Sequence, residues 1–172
     1  MLLSEERAKP SRTKQGGGII VQGSNDVSVH FSKCCAPVPG DPIIGYVTRG
    51  RGVSIHRADC VNMQHLPDED KQRLITASWE HSSTEEEVAD RVYHAELRVF
   101  ANNQHKTDAL LEVIRILNEN NLNINSTTAR PGKNDISTIT ISFDVHSTNQ
   151  LNAMMNRIRQ VEYVVDVERS TG

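Results

Sequence analysis

The sequence predicts an α+β protein: a small β-rich module followed by a β-α-β-β-α-β domain. Short β-branched runs separated by Pro and Gly fill residues 19–80. Alternating apolar segments and two amphipathic helical segments fill residues 91–172. Between them, residues 81–90 are polar and acidic, which is typical of a linker. Residues 1–18 carry charges and a glycine run without apolar periodicity, so we expect a flexible leader there.

Composition indicates a soluble, cytoplasmic protein. No run approaches the roughly 20 apolar residues of a membrane span, and the first residues lack the apolar segment of a signal peptide. Three cysteines, an odd number, fit a reducing compartment better than a disulfide framework. The net charge is +3 over residues 1–62, −6 over residues 63–90 and zero over the remainder. This balance alone is too modest to indicate nucleic-acid binding.

The β-rich module is predicted to contain short strands and little helix. Its strand-like runs are IIVQG, VSVHF, IIGYVT, VSIHR and LITASW, and residues 58–66 favour a helical turn or two. A unit of about 60 residues buries little core, so a bound metal would stabilise it usefully.

The C-terminal domain shows the clearest periodicity. Tyr93–Val99 alternates as a half-buried strand, and Thr107 is the predicted N-cap of the first helix. A strand through Ile124 and Thr128, a turn at residues 129–135 and an alternating strand at residues 139–145 follow. The second helix begins at a capping box of Ser147 and Gln150 and buries Met154 and Met155, and the closing strand has Tyr163, Val165 and Val167 on one face. This order predicts a ferredoxin-like fold with both helices on one face of a four-stranded antiparallel sheet.

Residues 30–60 concentrate the side chains that carry chemistry. A tetrahedral zinc site needs four Cys or His ligands, and this segment offers Cys34, Cys35, His56 and Cys60. Adjacent strand residues face opposite sides, so the two neighbouring cysteines can share an ion only if the chain bends, which Pro37, Pro39 and Gly40 favour. Otherwise His30 would replace one thiol. Spacing alone leaves buried thiols and a catalytic Cys/His pair open as alternatives.

The string CCAPVPGDPIIGYVTRGRGVSIHRADC, residues 34–60, resembles the cysteine-rich zinc-finger or ribosome-intersubunit module of RelA/SpoT-family proteins. The β-α-β-β-α-β unit resembles the ACT domain that ends those proteins, which make and degrade the alarmone (p)ppGpp. The resemblance implies bound zinc, with Cys34, Cys35, His56 and Cys60 as its ligands. It also implies a non-catalytic regulatory segment of a bifunctional (p)ppGpp synthetase/hydrolase, a GTP pyrophosphokinase. The segment itself shows no P-loop and no histidine-aspartate metal pair.

The resemblance further implies partners: ribosomal RNA, a deacylated tRNA in the ribosomal A site, and the upstream catalytic domains of the same protein. The segment would bias those domains between synthesis and hydrolysis in the stringent response. The candidate phosphate contacts are Lys33, Arg49, Arg51 and Arg57. Arg51 is the strongest candidate because glycines flank it; without the resemblance, solvated surface is the simpler interpretation.

The turn before the first predicted helix departs from the ACT pattern. ACT domains that bind amino acids carry a D-R-x-G-L-L-like turn, and the aligned residues 106–109 here are KTDA. We therefore expect no amino-acid sensing of the usual kind, although Asn102, Asn103 and Thr107 are candidates to line a polar ligand pocket. The alternative functions are a stand-alone ACT-type amino-acid sensor and a module that forms homodimers through the ACT domain.

Overall fold

The computed structural model describes residues 18–22, 27–80 and 91–170. Within these ranges the strands form one two-stranded and two four-stranded sheets. The predicted leader, apart from Gly18, and the predicted linker lie outside the described residues. In the described part of the chain, no helix combines the length and apolar content that crossing a bilayer requires.

The N-terminal module is built around a fully buried central strand. Its elements are β1 (Ile19–Val21), β2 (Val29–Phe31), β3 (Ile43–Val47), β4 (Val53–Arg57), α1 (Val61–Gln64), α2 (Asp68–Lys71), β5 (Leu74–Ile75) and β6 (Ala77–Trp79). The sheet order is β2-β4-β3-β5, with β2 parallel to β4 and the other pairs antiparallel. All five residues of β4, which is paired with β2 and β3, are buried.

Two details of this module differ from the prediction. The run LITASW divides at Thr76: β5 pairs with β3, whereas β6 pairs with β1. The four-residue helix α2 has no counterpart among the predicted elements, although its acidic first turn suits a helix N-terminus. A small apolar cluster of Val21, Val53, Ile55 and Ala77 forms the module's own core.

The C-terminal domain has the predicted ferredoxin-like topology. Its elements are β7 (Tyr93–Asn102), α3 (Lys106–Glu119), β8 (Ile124–Pro131), β9 (Ile136–Val145), α4 (Thr148–Arg159) and β10 (Val164–Arg169). The strands are antiparallel in the order β10-β7-β9-β8. Alternate residues of β7 and β9 are buried together with the apolar stripes of both helices, as the periodicity predicted. The α+β fold class is therefore confirmed.

The helix starts agree in part with the predictions. Ser147 caps α4 as predicted, since its hydroxyl accepts a hydrogen bond from the backbone N–H of Gln150 at 3.3 Å. The predicted N-cap at Thr107 is wrong. A 3₁₀ turn at Asn103–His105 precedes α3, and the Asn102 side chain caps that turn instead by accepting from the N–H of Gln104 at 2.9 Å.

The closing strand contains a register shift that the alternation did not reveal. The pairing of β10 with β7 is irregular between Val164 and Asp166, which reverses the phase of the strand at that point. Val165 is consequently 64% exposed, although Val167 is buried as predicted. The predicted turn at residues 129–135 is also shorter than expected, because edge strand β8 continues to Pro131.

The two modules share apolar contacts at their junction. Val38 belongs to the N-terminal module, yet it is fully buried in the core of the C-terminal domain. Phe31 and Trp79 stack with ring centroids 5.8 Å apart, and both meet the ring of Tyr93 on β7 edge-to-face at 5.6 Å. These contacts place the cysteine-bearing segment directly against the C-terminal domain.

Candidate metal centre

Three separate pieces of the N-terminal module bring four potential metal ligands together. Cys34 and Cys35 lie in the turn after β2, His56 lies on the buried strand β4, and Cys60 immediately precedes α1. Their ligand atoms all lie within 4.8 Å of one another. Cys34 Sγ is 3.4 Å from His56 Nδ1 and 3.5 Å from Cys60 Sγ, and Cys35 Sγ is 3.8 Å from His56 Nδ1.

These distances fit a tetrahedral zinc ion. With Zn–S bonds of about 2.3 Å and a Zn–N bond of about 2.0 Å, the edges of the tetrahedron are about 3.5 to 3.8 Å. The bend that lets adjacent cysteines face one point is present, because residues 33–35 form a turn that the backbone N–H of Ala36 closes by donating to the carbonyl of Ser32 at 3.2 Å. His30 is not part of the cluster. Among the described residues, the four ligands expected from the motif are therefore the ones that converge.

Hydrogen bonds orient the ligand side chains. Ser54 Oγ lies 2.9 Å from His56 Nε2, which leaves Nδ1 directed at the thiols. The backbone N–H of Arg57 donates to the Cys35 sulfur at 3.3 Å, and the Ser32 hydroxyl lies 2.8 Å from the Cys34 sulfur. Partners of this kind fix ligand orientation in metal sites. Sequence reasoning missed Ser54, although its i, i+2 spacing from the histidine places both side chains on one face of β4.

Burial and hydrogen bonding raise the pKa of one of these cysteines and lower the pKa values of another cysteine and of the histidine. Burial raises the pKa of Cys35 to about 12, so this thiol keeps its proton until a metal displaces it. Burial also acts to raise the pKa of Cys34, but hydrogen bonds from Ser32 and Asn62 outweigh it, and that pKa lies below its ordinary value. Burial lowers the pKa of His56, which favours the neutral imidazole that metals bind.

The arrangement suits ion binding better than covalent catalysis. Cys35 and Cys60 are 1% and 0% exposed, and all three thiols face a common point with the imidazole. A catalytic cysteine needs access to substrate and a base directed at it alone. Here the donors converge on one another instead, and zinc bound among them would hold three separate chain segments in place.

The candidate phosphate contacts divide into two groups. Lys33 is exposed on the turn that carries the cysteines, and Arg49 and Arg51 are exposed on the turn between β3 and β4. The side chain of Arg57 is only 9% exposed and pairs with Asp59 at 2.6 Å. The structure therefore leaves the first three accessible to a partner and directs Arg57 inward.

The candidate ligand pocket of the C-terminal domain has its polar groups engaged. The Asn102 carboxamide caps a turn, and the Asn103 carboxamide accepts a hydrogen bond from the Ser137 hydroxyl. Thr107 is exposed on α3. A groove of about 460 Å³ opens between α3 and the end of α4, beside Tyr163, and none of the three predicted residues lines it. A ligand contact at Asn102, Asn103 or Thr107 stays a prediction.

Both modules match protein-family models. Residues 19–80 match the model described as the RelA/SpoT RIS domain, and residues 89–169 match the ACT domain. The chain is a RelA/SpoT RIS domain followed by an ACT domain. The four candidate metal ligands all fall inside the RIS domain, and the ferredoxin-like unit corresponds to the ACT domain.

The relatives of this RIS–ACT chain are much longer proteins. It is 34% identical over 168 residues to a GTP pyrophosphokinase of Streptomyces antibioticus, a match covering 98% of this chain and 19% of that protein. A GTP pyrophosphokinase of Escherichia coli K12 is 30% identical over 163 residues, covering 94% and 21%. The chain thus spans about a fifth of these relatives. The ACT domain of a Chlorobium tepidum GTP pyrophosphokinase aligns with a TM-score of 0.39 and 23% identity, covering 46% of this chain and 99% of that one.

Proposed function

We propose that this chain is the C-terminal regulatory segment of a cytoplasmic (p)ppGpp synthetase/hydrolase. It performs no chemistry itself; it senses the ribosome and deacylated tRNA and biases catalytic domains that lie upstream. The observation that carries the proposal is the convergence of four zinc-type ligands inside a RIS domain joined to an ACT domain. The relatives named GTP pyrophosphokinase support a catalytic parent of which this segment is a small part.

Zinc is the metal that the donor set favours. Three cysteine sulfurs and one imidazole nitrogen at tetrahedral spacing match a closed structural site, which leaves no position open for substrate. Metal analysis of the purified chain should find one zinc per molecule. His56→Ala should abolish it, whereas His30→Ala is the matched control and should retain it. Retention of full zinc by His56→Ala would contradict the ligand assignment.

Exposed basic side chains of the RIS domain support a ribosomal RNA contact. Arg49 and Arg51 project from the turn between β3 and β4, where Gly50 and Gly52 adopt positive φ values of 97° and 75°. Such a narrow turn can approach a phosphate backbone closely. Removing the two arginine–phosphate contacts should make the slope of log affinity against log salt concentration shallower by about 1.4 to 1.8.

Ribosome pelleting at several salt concentrations tests this contact. The double variant Arg49→Ala, Arg51→Ala should weaken binding and flatten its salt dependence. Arg115→Ala is the matched control, since Arg115 lies in the ACT domain and is already paired with Glu112 and Glu119 at 2.6 and 2.7 Å. Ribosomes with and without deacylated tRNA in the A site separate the two proposed partners. Equal binding by the double variant and the wild type would refute the contact.

The regulatory assignment has its own test. The isolated chain should produce no (p)ppGpp from GTP and ATP and should not degrade added (p)ppGpp. Measurable turnover in either direction would show that the segment carries its own active site and would overturn the proposal.

A further inference from the structure

One short loop serves both the metal cluster and the ACT domain. The junction loop, residues 36–41, follows directly after the ligand Cys35 and begins at Ala36 with its positive φ. The Cys35 sulfur also accepts a hydrogen bond from the backbone N–H of Arg57, which ties this end of the loop to strand β4. The position of the junction loop therefore depends directly on how the cysteine turn is held.

The other end of the junction loop is fixed to the ACT domain. Val38 is fully buried in the ACT core, and the N–H of Thr148 at the start of α4 donates to the carbonyl of Pro39 at 2.9 Å. Arg169 on β10 forms a two-pronged ion pair with Asp41, at 2.7 and 2.9 Å. The side chains of this pair are only 14% and 8% exposed. Little solvent screens the pair, so removing one partner leaves the other buried and uncompensated.

Further contacts join strand β4 and the cysteine turn to the same edge of the ACT domain. Arg169 also donates to the carbonyl of Ala36 at 3.3 Å, the residue next to the ligand. Arg57, which directly follows the ligand His56, reaches the carbonyl of Ser170 at 3.4 Å. Trp79 donates from its indole to the carbonyl of Asp41 at 2.9 Å, so the chain's single tryptophan reports on this junction.

We propose that metal occupancy of the cysteine cluster and docking of the ACT domain are energetically coupled through the junction loop, with the Asp41–Arg169 pair as the latch. Metal loss frees the cysteine turn and lets the latch open. By thermodynamic reciprocity, opening the latch weakens metal binding by the same factor. The coupling rests on the proposed zinc binding, and it gives the ACT domain a way to respond to the state of the RIS domain.

Hydrogen exchange on the wild-type chain gives the first test. Amides of residues 36–41 and 164–169 should exchange faster after zinc is removed by a chelator, by about 5- to 150-fold if the coupling has the usual size. The amides of α3, which takes no part in the hydrogen bonds and the ion pair of the junction, are the internal reference. Trp79 emission should shift to the red in the same titration, because the indole loses its carbonyl partner and gains water.

Zinc affinity of latch variants gives the reciprocal test. Arg169→Gln should raise the zinc dissociation constant, measured by competition with a chromogenic chelator, by the factor seen in exchange. Arg115→Gln, the same substitution at an exposed pair of the same domain, should leave it unchanged. The double variant Asp41→Asn, Arg169→Gln should raise the zinc dissociation constant no further than Arg169→Gln alone does. Both substitutions remove the same ion pair, so their effects do not add.

The outcomes separate this coupling from the metal site itself. If the wild-type chain binds no zinc, the proposed metal centre fails and the coupling fails with it. If zinc binds but exchange at residues 36–41 and 164–169 is unchanged by its removal, and Arg169→Gln binds zinc like the wild type, only the coupling is overturned. Should Arg169→Gln fail to fold, the wild-type exchange comparison decides alone.

Discussion

The Val38→Ala substitution measures how much the burial of this RIS side chain in the ACT core stabilises the folded protein. Val38 is fully buried within the ACT core cluster, although it lies about 50 residues before that domain in sequence. The substitution removes the equivalent of two methylene groups, worth about 0.8 kcal/mol each by transfer. The residual cavity adds to this cost because a packed core relaxes only in part. We expect the free energy of unfolding to fall by about 2 kcal/mol.

Urea unfolding at a fixed, saturating zinc concentration is the assay, followed by both tryptophan emission and far-ultraviolet circular dichroism. The two midpoints should move together, because Trp79 lies at the junction and the dichroism reports both domains. Val165→Ala is the matched control: Val165 is 64% exposed, so its loss should change stability by no more than about 0.5 kcal/mol. If Val38→Ala costs no more than this control, the junction loop does not fill the ACT core.

Four further substitutions test the turn, the metal centre and a carboxylate. Gly50→Ala should lower the free energy of unfolding by about 1 kcal/mol, because the residue has a positive φ. Gly52→Ala should lower it by about 2 kcal/mol more, because the added Cβ would lie 2.1 Å from the Ser28 carbonyl oxygen. Equal losses in thermal unfolding would contradict this ranking. Ser54→Ala should weaken zinc affinity by about 10- to 100-fold in a chelator competition, and an unchanged affinity would remove its orienting role. Burial acts to raise the pKa of Asp144, but hydrogen bonds from two asparagines and the charge of a nearby histidine lower it overall. The depressed pKa contributes stability above the unfolded value of about 4, which is lost as pH falls through the folded value. The stability advantage of the wild type over Asp144→Asn should therefore shrink with acidification, and an advantage independent of pH would refute this.

The ACT fold was predictable because its elements are long and periodic. Strands β7 and β9 each run for ten residues, and both helices exceed eleven, so the apolar alternation and the helical stripes are unambiguous. The failures are local. One irregular pair reverses the phase of β10 and exposes Val165, because a bulge leaves no mark on hydrophobic alternation. The strands of the RIS domain are too short to show such periodicity, so the sequence did not predict that the run LITASW divides at Thr76.

The four converging side chains were predictable from residue type together with the family resemblance, but their supporting contacts were not. Cys34 and Cys35 on a regular strand would face opposite sides, and the turn at residues 33–35 resolves that conflict. Asp41 and Arg169 are separated by 128 positions, and a pair this distant has no signature in one sequence. Asp41 was visible only as the aspartate of a PGD turn, with no indication of the arginine it holds.

The RIS domain depends on contacts outside its own small core. Among its described residues the buried cluster contains four, Trp79 packs against the ACT core, and Phe31 packs against both cores. A domain this small needs additional stabilisation, which a metal ion or a neighbouring domain can provide. Here the candidate metal cluster and the ACT interface share one stretch of chain, because the residues after Cys35 lead straight into that interface. We therefore expect a substitution of Cys35 to perturb the ACT docking surface as well as the candidate metal site. The two effects separate only when zinc binding and docking are measured on the same variant.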